Sequence, residues 1–335
     1  MFNIRIIKKH IVKTIILNVA LIFCHSAIGQ DIHFSQFFAN KLFLAPSFAG
    51  ATQQNRLISN YRNQWPGLPK AFVTYAFSYD HNFQNFNSGM GLIAMRDVAG
   101  AGKYGTLQLG LCYSFDFLLN DEIHIRPGAG FSYIQRSIDF MKLVMGDQLT
   151  NAGTNPSSIE TFPGKDYKGG VDASSSVIAY SKNMWGGITV DHLLRPNLSI
   201  MGGEERLPIK IDLYGGATLL RKGRLLRPID ETLSFAFKFT TQAKYKQLDL
   251  GLYWSKSPLI FGFWYRGIPP FNSDRGDSFA LLSGIKMQNF TLGYSYDFTI
   301  SNLIGHSSGS HELSISYEFA RARKKKMSSV PCPEF

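Results

Sequence analysis

Large apolar residues occupy every second position over several long stretches of this chain. In FTLGYSYDF, residues 290–298, the alternate positions hold Phe, Leu, Tyr, Tyr and Phe, and the positions between them hold Thr, Gly, Ser and Asp. The same alternation occurs in YGTLQLGLCYSFDF (104–117), LSFAFKF (233–239), LDLGLYW (248–254) and ELSISYEF (312–319). A period of two residues predicts β-strands, each with one apolar face and one face of small or polar residues.

Either a soluble barrel or a membrane barrel would show this alternation, with opposite faces buried. The predicted strands are long enough to cross a membrane at a tilt, and aromatic residues make up 14% of the chain and gather toward the strand ends. These features favour an antiparallel transmembrane β-barrel. We therefore expect Phe235, Leu250 and Leu292 to face lipid, and Gly251 to face the lumen and to tolerate serine.

Fourteen strands are predicted between residues 55 and 319. They begin near Arg56, Ala71, Gly89, Tyr104, Glu122, Val171, Met184, Ile209, Thr232, Tyr245, Leu259, Ser278, Phe290 and His311. With an even count, the connections sort into long loops on one side and short turns on the other. Bacterial barrels place long loops outside the cell and short turns in the periplasm, so the asymmetry predicts which rim faces the periplasm.

The first 29 residues have the pattern of a signal peptide. Basic residues and no acids precede the apolar run TIILNVALIF, and small residues surround Ala27 and Gly29. An N-terminal membrane anchor is the alternative, but the apolar run is short for a helical span. We expect cleavage after Gly29 and export of the mature chain.

Residues 30–54 and 320–335 flank the predicted barrel. The N-terminal segment is rich in Phe without a clean strand period, and it is expected to begin on the periplasmic side. Its aromatic side chains must be buried, either inside the barrel lumen or against a partner. The C-terminal segment is a basic tail, which is either a solvated end or a docking peptide for an acidic partner.

Composition excludes several classes of function. The net charge of +11 is concentrated in the leader and the tail, so the barrel itself lacks the basic surface of a nucleic-acid-binding protein. Only Cys112 and Cys332 follow the leader, and neither belongs to a disulfide framework or a metal-ligand spacing. We predict no cofactor, no metal and no nucleic-acid partner.

No catalytic motif is present. The chain lacks a nucleophile elbow, a phosphate-binding loop and a zinc-protease helix, so we do not expect an enzyme. Asp191 and His192 follow a predicted strand and are interpreted as residues that shape a loop or contact a partner. Glu312 lies on the polar face of the last strand, where Arg126 or Lys238 is the expected lumenal partner.

The motifs of the mature chain resemble one known family along its whole length. They are QDIHFSQFFANKLFLAPSFAGA, YRNQWPGLPKAFVTYAFSYD, GMGLIAMRDVAG, GGITVDHLLRPN, FWYRGIPP, LGYSYDFTISNLIGHSSGSHELSISYEF and the terminal CPEF. In order and spacing they resemble the PorP/SprF family of the type IX secretion and gliding system of Bacteroidetes. The first motif departs from the family, because Lys41 follows Asn40 and Ala45 precedes Pro46, where Asn-Pro usually occurs twice.

The resemblance implies an outer-membrane barrel that supports the export or attachment of a large secreted surface protein, such as a gliding adhesin. The implied partners are membrane lipid, the C-terminal signal of that protein, and periplasmic components of the secretion system. The candidate partner-binding residues are Phe34, Phe37, Phe38, Pro46, Gly50, Trp65, Pro66, Asp191, His192, Gly305, Gly309, His311, Lys324, Lys325 and Lys326. The alternative function is a passive outer-membrane channel.

Overall fold

The computed structural model describes residues 31–52, 54–68, 72–150, 153–154, 158–159, 166–223, 229–267, 276–300 and 308–319. The predicted signal peptide and basic tail lie outside these residues. In the described part of the chain, no helix combines the length and the apolar character that a membrane span requires.

Fourteen long strands form one closed antiparallel sheet. They are β1 (Asn55–Gln64), β2 (Phe72–Phe83), β3 (Ser88–Ala99), β4 (Tyr104–Phe115), β5 (His124–Ser137), β6 (Tyr167–Tyr180), β7 (Met184–Asp191), β8 (Lys210–Gly223), β9 (Ile229–Gln242), β10 (Tyr245–Lys256), β11 (Leu259–Gly267), β12 (Gly276–Lys286), β13 (Phe290–Thr299) and β14 (Ser310–Phe319). Each strand pairs with its neighbours in sequence, and β14 pairs with β1 to close the barrel. The predicted fold class and strand number are confirmed.

Several short elements accompany the barrel. A one-turn helix, α1 (Lys41–Leu44), and a 3₁₀ turn, Pro46–Phe48, precede β1. Further 3₁₀ turns are Gln84–Phe86, Phe140–Lys142 and Gly146–Gln148, and two-residue strands are Phe117–Leu118, Leu149–Thr150 and Gly153–Thr154.

The two faces of the strands are inverted relative to a soluble protein, as the strand lengths and the placement of aromatic residues predicted. On β13, Phe290, Tyr294 and Phe298 are exposed on the outer surface, whereas Ser295 and Asp297 are buried in the lumen. The large apolar side chains therefore face the surroundings of the barrel. Water would penalise such a surface, and the hydrocarbon of a bilayer accommodates it.

The connections between strands differ at the two ends of the barrel. The long-loop rim carries the connections that follow β1, β3, β5, β7, β9, β11 and β13, and the short-turn rim carries the others. Loop 192–209 at the long-loop rim folds onto the barrel wall, where Leu198 and Leu207 are buried against Ile134 of β5. This loop narrows the mouth of the lumen.

Residues 32–52, here called the plug, lie inside the barrel. The plug contacts strands on every side of the lumen, and most of its side chains are buried. Residues 32–36 lie near the long-loop ends of the strands, and Gly50 lies near the short-turn ends. The plug therefore runs from the long-loop half of the lumen toward β1, and the side of the membrane on which the segment begins stays a prediction.

The rim assignment predicts a difference in chemical labelling. Met201 on loop 192–209 is 59% exposed, and Leu119 at the short-turn rim is 64% exposed. In a Cys332→Ser background, Met201→Cys should react with a membrane-impermeant maleimide on intact cells. Leu119→Cys should react only after the outer membrane is permeabilised. Equal labelling of the two in intact cells would contradict the predicted orientation.

The structure changes the expectation for Gly251. A β-carbon at this position would lie 2.2 Å from the ring of Trp264, which covers the glycine inside the lumen. We predict that Gly251→Ser reduces the folded fraction substantially, because the indole is packed in the core and has little room to move. Leu250→Arg on the lipid face should cost about 2–4 kcal/mol near mid-bilayer. Urea titration in lipid vesicles would measure both changes, and a neutral Gly251→Ser variant would contradict the packing described here.

Candidate functional site: the plugged lumen

An aromatic cluster holds the middle of the plug against the barrel wall. The ring of Phe38 lies 5.1 Å from Trp185, 5.6 Å from Trp264 and 5.9 Å from Tyr253, measured between ring centroids. Phe48 contacts Trp185 at 6.3 Å. Because aromatic pairs at these separations add to the free energy of burial, the plug is fixed by apolar packing at its centre.

A buried carboxylate on the last strand binds the backbone of the plug. Glu312 of β14 accepts hydrogen bonds from the amide of Ser35 at 2.7 Å and from the amide of Gln36 at 3.1 Å. Arg62 of β1 donates to the same carboxylate through Nη1 at 3.0 Å. One side chain thus joins the first strand, the last strand and the plug.

The predicted partner of Glu312 is wrong. Arg126 lies at the other end of the lumen, and Lys238 lies 3.9 Å from Asp212 and over the ring of Phe37. Arg62 occupies the place beside Glu312 because the closing register sets these two residues directly opposite each other.

A chain of ion pairs extends from this carboxylate across the long-loop half of the lumen. Asp297 lies 3.0 Å from Arg62 and 3.5 Å from Arg266. Arg266 also lies 3.4 Å from Asp249, and His33 of the plug lies 3.0 Å from the same carboxylate. Each buried charge has an opposite charge beside it, as removal from water requires.

A second anchor binds the plug near the short-turn rim. The carbonyl of Ala49 accepts hydrogen bonds from Ser114 Oγ at 2.8 Å and from Arg126 Nη2 at 2.5 Å. The amide of Gly50 donates to Asp80 Oδ2 at 3.1 Å. The plug is therefore held at both ends by side chains of the wall.

Glycines on the lumenal face let the plug backbone run against the wall. A β-carbon at Gly128 would lie 2.3 Å from the amide nitrogen of Ser47, and one at Gly89 would lie 2.2 Å from the carbonyl oxygen of Ala49. Such close approach is possible only where the wall has no side chain. The sequence shows these glycines on the polar face of their strands, but it gives no signal of the plug residues that they contact.

Five of the candidate partner-binding residues belong to the plug. They are Phe34, Phe37, Phe38, Pro46 and Gly50, and all are buried inside the barrel. Gly50 has a positive φ of 61°, and a β-carbon there would lie 2.6 Å from the carbonyl oxygen of His81. In the structure these residues fill the lumen, and their contact with a second protein stays a prediction.

Three candidates lie close together at the long-loop end of the seam between β1 and β14. Trp65 and Pro66 begin the loop after β1, and Gly309 ends the loop before β14. The amide of Trp65 donates to the carbonyl of Gly309 at 2.9 Å, and Pro66 is exposed beside them. Gly309 has a φ of 66°, and a β-carbon there would lie 2.5 Å from the carbonyl oxygen of Asp297. Gly309 is thus required by the turn itself. His311 lies on the outer face, where its Nδ1 is 2.8 Å from the hydroxyl of Tyr294.

Asp191 and His192 have partners within the barrel. Asp191 lies 2.9 Å from Lys210 Nζ, and His192 Nδ1 lies 2.6 Å from Asp172 Oδ2. His192 is buried and has a φ of 61°, so it forms the corner at which β7 enters loop 192–209. These contacts fit the loop-shaping interpretation. Gly305, Lys324, Lys325 and Lys326 lie outside the described residues.

No metal site is seen in the part of the chain that the structure describes. Within those residues, no group of three or more His, Cys, Asp or Glu side chains is placed to hold a metal ion. The lumenal acids are instead committed to arginine, lysine, histidine and the plug backbone.

These features define an outer-membrane β-barrel whose lumen is occupied by its own N-terminal segment. The chain belongs to the type IX secretion system membrane protein PorP/SprF family, whose model matches residues 26–317. No curated protein shows a sequence match.

Several solved barrels are similar to this chain in structure. The Acinetobacter baumannii outer membrane protein Omp33 has a TM-score of 0.46 and 8% identity, covering 81% of this chain and 100% of its own. The CymD monoaromatic hydrocarbon channel has a TM-score of 0.47 and 11% identity, covering 85% and 94%. A Pseudomonas aeruginosa FadL homologue has a TM-score of 0.45 and 13% identity, covering 82% and 94%.

Removal of the Glu312 carboxylate should destabilise the whole barrel. Glu312→Ala leaves two buried plug amides without their acceptor and leaves Asp297 as the remaining carboxylate beside Arg62, which should lower the free energy of unfolding by about 3–5 kcal/mol. Glu318→Ala is the matched control, because Glu318 lies on the same strand at the more open short-turn rim. Tryptophan fluorescence during urea titration in vesicles would report both values, and equal losses would refute the special role of Glu312.

Proposed function

We propose that this protein is a non-conducting outer-membrane scaffold of the type IX secretion system. It supports export or cell-surface attachment of a large secreted protein, such as a gliding adhesin, by binding the C-terminal region of that protein. It performs no reaction on its cargo. Periplasmic components of the secretion system engage its short-turn rim.

The filled lumen is the observation that carries this proposal. A passive channel works through an open, water-filled passage. Here the centre of the barrel contains Phe37, Phe38 and Phe48, and hydrogen bonds from buried wall side chains hold the plug backbone at both ends, through Glu312 at one end and Asp80 at the other. Displacing the plug would expose these rings and remove hydrogen bonds from the buried carboxylates Glu312 and Asp80, so the resting protein offers poor passage to small solutes.

Binding of a secreted protein is assigned to the long-loop rim. Loop 192–209 exposes Leu193, Leu194 and Met201, and Met141 on the preceding long loop is 94% exposed. Apolar side chains of this size at a membrane-distal rim suit a protein partner better than water. The exposed apolar side chains and the family membership together support a docking role for these loops.

The apolar loop residues provide a direct test. The triple variant Leu193→Ser, Leu194→Ser, Met201→Ser should leave the barrel in the outer membrane and reduce the surface level of one large secreted protein, because the partner loses its apolar contacts. The double variant Leu92→Ser, Leu111→Ser changes exposed apolar residues on the lipid face, away from both rims, and is the control. Outer-membrane blotting and surface proteomics in the same strain would measure both effects.

Two outcomes would overturn the proposal. The first is an unchanged set of surface proteins in a strain that lacks this gene. The second is a conductance of porin size for the purified wild-type protein in planar bilayers, without a co-purifying partner, which would establish the channel alternative.

A further inference from the structure

The lipid-facing surface of the barrel contains a groove across β10–β13. Its volume is about 560 Å³, and its lining is almost entirely apolar. The part of the groove nearest the short-turn rim is formed by Trp254, Phe261, Ser283 and Tyr294, which are side by side on four consecutive strands. The groove lies outside the lumen and is separate from the plug.

A single small residue creates the groove. Ser283 points outward between Phe261 on β11 and Tyr294 on β13, and its short side chain leaves a gap between these two rings. The groove continues toward the long-loop rim past Phe263 and Tyr296, which lie two residues further along their strands. With a rise of about 3.3 Å per residue, its levels from Tyr294 to Phe298 extend for roughly 13 Å, close to the thickness of one hydrocarbon leaflet.

A row of alternating charges lies at the short-turn end of the groove. Lys222 of β8, Glu231 of β9 and Lys256 of β10 are directly opposite one another in the sheet register. Lys256 is exposed two residues beyond Trp254 on the same face of the strand, and the indole Nε1 of Trp254 donates to Glu231 Oε1 at 2.9 Å. An interfacial tryptophan thus joins the apolar groove to a fixed pattern of positive, negative and positive charge.

We propose that this surface is a specific site for a zwitterionic phospholipid with a primary ammonium headgroup, of the phosphatidylethanolamine type. One acyl chain lies in the groove over Ser283. The phosphate binds Lys256, with Lys222 near, and the ammonium group donates to Glu231. The site faces the membrane, so its occupant is a lipid, and the short-turn rim is the one that we place at the phospholipid leaflet of the outer membrane.

The charge row distinguishes this headgroup from others. A headgroup with a phosphate and an ammonium matches both signs in the row, and charge-assisted hydrogen bonds reward that match. The trimethylammonium of phosphatidylcholine has no hydrogen to donate to Glu231. Phosphatidylglycerol presents a phosphate to the lysines but brings no cation to the carboxylate between them.

Native mass spectrometry of the full chain would test the site. The purified protein is equilibrated with an equimolar mixture of phosphatidylethanolamine, phosphatidylcholine and phosphatidylglycerol of identical acyl chains, and the retained lipids are counted. The wild-type protein should retain phosphatidylethanolamine over phosphatidylcholine by about tenfold, the factor that one charge-assisted hydrogen bond supplies. Glu231→Gln should remove this preference, although glutamine can still accept from Trp254.

Matched variants distinguish loss of lipid binding at the groove or at the charge row from nonspecific effects of a substitution. Ser283→Phe fills the groove and should abolish retention, whereas Ala94→Phe, on the lipid face between Phe77 and Leu109, should not. Lys256→Ala should weaken retention, whereas Lys246→Ala, near the opposite end of the same strand, should not. Equal retention of the three lipids, preference for phosphatidylglycerol, or equal effects of Ser283→Phe and Ala94→Phe would overturn the proposal. None of these outcomes bears on the export function.

Discussion

The ion pair between Arg62 and Glu312 is the contact on which the remainder of this barrel depends. The two residues face each other across the only junction between the first and last strands, and both are buried. The same carboxylate accepts the amides of Ser35 and Gln36. Barrel closure, plug position and the lumenal charge chain therefore meet at one acid, whose burial is tolerable only with all these donors in place.

The two faces of the barrel wall have opposite surroundings: the outer face contacts hydrocarbon, and the lumenal face contacts the plug and buried charges. Outside, aromatic and aliphatic side chains meet hydrocarbon, and the small residue Ser283 leaves a groove between the rings on either side of it. Inside, small residues such as Gly89 and Gly128 make room for a second stretch of backbone, and acids and arginines are matched in pairs. The result is a wall that is apolar on the outside and a core that is held by both rings and charges.

Period-two alternation was sufficient to predict the barrel. All fourteen strands begin within four residues of their predicted starts, and the two faces of β13 and the asymmetry of the rims also follow from local sequence, because each strand carries its own face pattern. The partners of lumenal residues could not be predicted in this way. Glu312 and Arg62 are 250 positions apart, and the crowding of Gly251 by Trp264 depends on which strand lies beside it. The alternation identified Glu312 as lumenal, but only the closing register identifies its cation.

The path of the plug has a consequence for biogenesis. Its residues precede β1 in the chain, whereas the carboxylate that holds its amides lies on β14, the last strand to be made. A sheet that curled shut around an empty interior would bury Glu312 without its amide donors. Pairing of β14 with β1 is thus favourable chiefly when the N-terminal segment is already bound in the lumen. Barrel closure therefore selects for barrels that contain a correctly placed plug.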